Sequence, residues 1–143
     1  KLIKGNYPHL ICVNSQNVHL MRWIVKMQNK PLPIVKTPTA ERKIIEIAKW
    51  SATKWGRKIA RDYLDNIERI IKLVASGLLP TQKSSEFSDR FTFCLAEQHY
   101  IFFEIQKDRL IIATLFHTAM HIKERISEEQ LGLGQEIMRI SNK

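Results

Sequence analysis

Residues 90–117 hold three strand-like runs in succession, and this constrains the fold more than any other feature of the chain. Residues 90–95 alternate larger apolar side chains with smaller or polar ones, the period of a strand with one buried face. His99–Ile105 is rich in aromatic and β-branched residues that suit a pleated surface. Residues 106–109 form a polar break of hairpin length, and Leu110–His117 is the returning strand. Three consecutive strands with short connections predict an antiparallel meander, which must bury one face against another layer.

The upstream sequence supplies that layer. Lys30-Pro31-Leu32-Pro33 reads as a rigid linker, and residues 34–36 as a short strand set against the sheet. Thr37-Pro38-Thr39 announces a helix, since either hydroxyl can accept from the free N–H groups of a first turn. Ala40, Ile44, Ile47, Ala48, Ser51 and Trp55 then recur at helical spacing, and Gly56 breaks the run. A second helix is predicted over residues 57–75, with Tyr63, Leu64, Ile67, Ile70, Ile71 and Val74 on its apolar face. Residues 78–88 read as a loop. Beyond the sheet, residues 122–126 can start a short helix, followed by a tail interrupted at Gly132 and Gly134. The expected fold is α+β: an N-terminal helical hairpin packed on a small antiparallel β-sheet, with a short first strand and a C-terminal tail.

At 143 residues the chain suits one domain with its own core. Its net charge is +9, and the first 26 residues carry +4 of it with no acid, leaving +5 for the rest. That balance fits an acidic protein segment or nucleic acid as partner, against the plainer reading of a basic but inert surface. Beyond the first 26 residues both signs interleave as on a solvated helical face, and no pattern of basic residues with regularly spaced aromatics stands out. Cys12 and Cys94 lack Cys-x-x-Cys spacing, which suggests a reduced cytoplasmic protein. No apolar run approaches the ~20 residues of a membrane span. The functional domain is expected to begin near Met27, giving an N-terminal extension over 1–30, a domain over 31–126 and a tail over 127–143.

Identities at the landmarks go further. Thr37-Pro38-Thr39-Ala40-Glu41, residues 44–47, Trp55-Gly56, Ala60 and Tyr63-Leu64 occur in the order of the opening of ParE-type toxins of bacterial toxin–antitoxin pairs. Arg90, His99–Ile105 and Leu115-Phe116-His117-Thr118-Ala119-Met120 extend the likeness. From residue 31 to 126 the chain resembles that family, within the RelE/ParE superfamily. The resemblance implies a toxin held inactive by a cognate antitoxin that is acidic, partly disordered and ParD-like. ParE toxins block DNA gyrase, whereas the RelE branch cleaves messenger RNA in the ribosome; a shared fold cannot decide between them.

RNA cleavage by 2′-hydroxyl attack needs a proton acceptor, a cation for the phosphate and an acid for the leaving oxygen. By resemblance, the RelE branch draws these from Lys and Arg on the sheet and a Tyr or Arg near the C-terminus. Here those sheet positions correspond to Phe91 and Phe93, with Tyr100 in place of a strand Arg, and no Tyr follows His117. No catalytic residue, cofactor or metal site is therefore assigned; His117 and His121 lie four apart, but His117 ends a strand. Trp50 and Trp55 read as core or hairpin packing. The expectation is a toxin, more a binder than an enzyme, that meets gyrase through a surface of the meander and tail. DNA would be contacted only indirectly, through the antitoxin. The residues selected for target or antitoxin binding are Trp55, Tyr63, Arg90, His99, Tyr100, His117 and Met120, with plain core packing the rival role, strongest for Tyr63.

Overall fold

A computed structural model describes residues 31–79, 81–83 and 87–142. The expected N-terminal extension, the start near Met27 and Cys12 lie outside them. The order is β1 (Ile34–Lys36), α1 (Pro38–Trp55), α2 (Arg57–Ala75), β2 (Gln82–Lys83), β3 (Thr92–Ala96), β4 (His99–Ile105), β5 (Leu110–His117) and α3 (Ile122–Ser141). The sheet runs β1-β5-β4-β3-β2; β1 lies parallel to β5 and every other pair is antiparallel. This is the α+β hairpin-on-sheet fold expected from the sequence, with β1 making the sheet mixed rather than wholly antiparallel. Within the expected loop, β2 adds a two-residue edge to β3.

Thr37 starts α1 and also fixes it to the sheet. Its Oγ1 accepts from the Ala40 N–H at 3.0 Å and donates to the Ala113 carbonyl at 2.7 Å, while its N–H donates to the Ile112 carbonyl. Pro38 occupies the first turn, where a missing N–H is harmless. Gly56, at φ 92°, separates α1 from α2 in a conformation open to glycine. Ile47 of α1 and Ile67, Ile70, Ile71 and Val74 of α2 cover one sheet face, meeting Cys94, Ile101, Phe103, Leu110, Ile112 and Leu115.

The expected tail is instead a helix of 20 residues. Ile122, Ile126, Leu133 and Ile137 fall on one side of it and pack on Phe91, Phe93, Phe102 and Phe116, covering the second sheet face. Tertiary burial of that stripe outweighs the roughly 1 kcal/mol that each interior glycine takes from a helix. The aromatic face of the meander is thus core, with Phe91 and Phe102 fully buried, and is closed to a partner. Polar links hold α3 down: Glu136 accepts from both the N–H and the Oγ1 of Thr39, and Arg109 donates to the Ile140 carbonyl. At Gly132 an added Cβ would meet nothing within 4 Å. Gly132→Ala should therefore raise stability by about 0.5–1 kcal/mol, read as a Tm higher by a few degrees. An unchanged or lower Tm would show that the glycine has a role the helix geometry does not reveal.

Candidate functional site

Three features bring two imidazoles together where the sheet ends. First, β4 and β5 pair so that His99 stands directly opposite His117, and directly opposed residues share a face. Second, the register slips between Phe102 and Phe103, which oppose Thr114 and Ile112, leaving Ala113 as the extra residue of a bulge. Without it, strict alternation from Leu110 would turn Leu115 and His117 toward α3. Thr37 bonds to the carbonyls of Ile112 and Ala113, so the helix start and the bulge are one unit. Third, the β3–β4 turn places Glu97 at φ 57°, a left-handed conformation unfavourable for a residue with a Cβ. α2 holds that turn: Asn66 donates to the Glu97 carboxylate, and the Gln98 N–H donates to the Tyr63 hydroxyl at 3.1 Å.

The Tyr63 hydroxyl also lies 2.6 Å from His99 Nδ1. That oxygen accepts from Gln98 and has a second lone pair and a proton of its own, so the His99 tautomer sets which of the two donates across this contact. His117 Nδ1 accepts from the Ala119 N–H at 3.0 Å, which assigns the proton of its neutral ring to Nε2. The rings meet edge to face with centroids 5.1 Å apart. They border an open groove of about 660 Å³ whose other wall is α1, through Lys43, Ile47 and Trp50, and whose far end carries Met120 and Arg125.

Burial, with the neighbouring His117 second, pushes the His99 imidazole down to about 4, so it is neutral at physiological pH and a weak base. Lys43 lies 4.5 Å above the Phe116 ring and 3.7 Å from Glu129, which ties up much of its charge. Arg125 is exposed. Burial pushes the Cys94 thiol up to about 12, so it is inert packing. Among the described residues no group of three or more His, Cys, Asp or Glu could hold a metal. The groove thus offers hydrogen-bond donors, ring surfaces and charges of both signs, since Glu46 lines it beside Lys43 and Arg125.

Of the seven selected residues, His99, His117 and Met120 line this groove, and Tyr63 of α2 joins His99 to Trp55 at the end of α1, with Trp55 and Tyr63 rings 6.5 Å apart. Arg90 and Tyr100 lie on the α3 side. Arg90 sits 3.4 Å from Glu104 and against Gly134, and Tyr100 packs with Phe87 and Phe93. His99, expected to be more open than Tyr63, is only 7 % exposed. Trp50 and Trp55 are not core: they flank the buried stripe of α1 and are 48 % and 42 % exposed. Sequence reading missed Lys43 and Trp50 as groove residues, although their i, i+7 spacing about Ile47 marks one helix flank. Arg125 was hidden because α3 was read as ending near it.

Fold and groove together define a small α+β protein: a helical hairpin on a sheet, with an open groove at the end of two strands. Residues 34–122 match the family described as the ParE toxin of the type II toxin-antitoxin system, parDE, and the chain belongs to that family. A chain of the chromosomal ParDE toxin–antitoxin system from P. aeruginosa has a similar fold, with TM-score 0.53 and 12% identity. The likeness covers 60% of this chain and 95% of that one. No curated protein matches. Among the described residues, no helix is long and apolar enough to cross a membrane.

Proposed function

We propose that this ParE-family toxin acts in the cytoplasm by binding DNA gyrase, and that a cognate antitoxin neutralises it through an acidic, partly disordered segment. One observation supports binding over cleavage: Phe91 and Phe93, standing where a RelE-like nuclease would carry cations, are buried beneath α3. A buried phenyl ring neither moves a proton nor neutralises phosphate. In this reading Trp55, Tyr63, His99, His117 and Met120 form one contact surface, and Arg90 and Tyr100 contribute from the other side. Duplex DNA is met only through the antitoxin.

The groove itself favours a second reading, a ribosome-dependent endoribonuclease, because His99, His117 and Arg125 border one cavity. Against it stands the weak basicity of His99, whose proton affinity lies well below what a general base at neutral pH needs. Purified protein added to gyrase should abolish supercoiling at near-stoichiometric amounts while ribosome-bound message stays intact. An acidic antitoxin segment should restore supercoiling. Message cleavage with supercoiling untouched would reverse the assignment.

A further inference from the structure

More than half of the net charge sits in one short stretch. Residues 49–61, Lys-Trp-Ser-Ala-Thr-Lys-Trp-Gly-Arg-Lys-Ile-Ala-Arg, hold five cations, two tryptophans and no acid. They form the corner where α1 passes into α2 at Gly56. All five cations are exposed, and none has an ion-pair partner among the described residues. Uncompensated like charges on one corner repel each other and gain the fold nothing. Half-exposed indoles beside them likewise leave apolar surface in water that burial would remove.

The rings at this corner are ordered. Trp50 and Trp55 meet edge to face at 5.1 Å, an arrangement that leaves ring surface of each open. The Lys54 ammonium lies over the Trp50 ring at 5.0 Å from its centroid and over the Trp55 ring at 6.0 Å, fixing a positive charge on one face of each and leaving stacking to the other faces. From Trp55 the line of rings continues through Tyr63 to His99 and His117, at centroid spacings of 6.5, 5.7 and 5.1 Å. Trp50 also borders the groove, so the ring line starts and ends on the same cavity.

We infer that this corner and groove bind unpaired nucleic acid, with bases stacking on Trp50 and Trp55 and phosphates meeting Lys54 and its neighbours. Flat faces beside clustered cations are the two elements of a single-strand platform, since every base has a π-face and every linkage one negative charge. An acidic peptide would satisfy the cations but make less use of the indole faces. A duplex, its bases already stacked, could use only the charge. The inference goes beyond the gyrase reading and does not depend on it, because it requires neither gyrase inhibition nor strand cleavage.

The test is fluorescence anisotropy of the full chain with labelled dT10, rU10 and a mixed-sequence DNA duplex at 50 and 200 mM salt. Single strands should bind more tightly than duplex, and affinity should fall as salt rises. The comparison of dT10 with rU10 identifies which strand is preferred. Trp50→Ala and Trp55→Ala should each weaken single-strand binding about five- to hundredfold. Trp50→Phe and Trp55→Phe should recover most of it, and they keep the test valid should an alanine variant fold poorly. Lys54→Glu should weaken binding and flatten the salt dependence, while Met138→Ala on the outer side of α3 should change nothing. Failure of folded wild type to bind either oligonucleotide at 50 mM salt would overturn the inference. So would equal affinity for duplex, unchanged binding in both tryptophan-to-alanine variants, or equally tight binding of a ten-residue poly-glutamate peptide.

Discussion

Deleting residues 122–143 should leave a chain that no longer folds. α3 places Ile122, Ile126, Leu133 and Ile137 at 5 % exposure or less. Burial of four such side chains stabilises by roughly 6–12 kcal/mol as an upper bound, at about 1.5–3 kcal/mol each. A domain has about 5–15 kcal/mol in total, so this loss alone removes most of it. The truncated chain would also expose Phe91, Phe93, Phe102 and Phe116, the apolar face that α3 covers, which is an aggregation hazard. Circular dichroism should show no cooperative melt, and a dye that fluoresces on apolar surface should bind. The milder Ile126→Ala, at a fully buried position, should lower stability by about 2–5 kcal/mol. A truncated chain with a sharp transition near the wild-type temperature would show that α3 is an appendage. The family match stops at residue 122, where this helix begins, so the cover for the aromatic face comes from outside the matched segment.

That boundary also marks where the sequence stopped being readable. The hairpin and meander were legible because each element announces its own period and its own end. Thr37, Pro38 and Gly56 bracket α1, and residues 106–109 separate β4 from β5 with the bounds observed. α3 was not legible, because Gly132 and Gly134 are helix breakers by local preference. Only the packing of Ile126, Leu133 and Ile137 on the sheet overrides them. Periodicity shows that a strand has two faces, but not which partner covers each one. The meander was therefore expected to offer contact surface on a face that is core.

The site was legible in part for a related reason. His99 and His117 mark strand ends, and tight pairing brings strand ends together. Their shared face depends on the bulge at Ala113, which nothing in Leu110–His117 announces, because the run is almost continuously apolar and marks neither face. Tyr100, next to His99 in sequence, falls on the opposite face because β4 alternates sides at every step, while Arg90, ahead of β3, meets Glu104 and Gly134. The charged corner at 49–61 was overlooked for a different reason. Charge summed over the whole domain averages away five cations that the α1–α2 turn concentrates.

Acid should destabilise this protein through His99. Its folded-state value of about 4 lies below the ordinary 6.5, because the ring is buried and faces His117. Between those two values the unfolded chain binds a proton that the folded chain refuses, so stability falls as pH falls. The contribution is fully present above about pH 7 and is lost progressively from pH 6.5 toward pH 4, below which the loss levels off. A difference of this size corresponds to about 3 kcal/mol over the whole window, and about 2 kcal/mol of it between pH 7 and pH 5. Side-chain carboxylates ordinarily titrate near ~4, below the upper half of this window. The upper half of the window therefore reports on imidazole. Denaturant midpoints measured at pH 7, 6 and 5 should fall steadily for wild type. His99→Gln removes the titrating ring and should flatten the dependence, even if the variant starts from lower stability at pH 7. Tyr63→Phe provides a second check. It deletes the hydroxyl that the Gln98 N–H and His99 Nδ1 share, and should cost about 1–3 kcal/mol at pH 7 by leaving those groups unsatisfied. Identical pH profiles for wild type and His99→Gln would mean that the imidazole at the sheet end ionises freely in the fold. The tight hydrogen-bonded pair with Tyr63 would then not be the structure in solution.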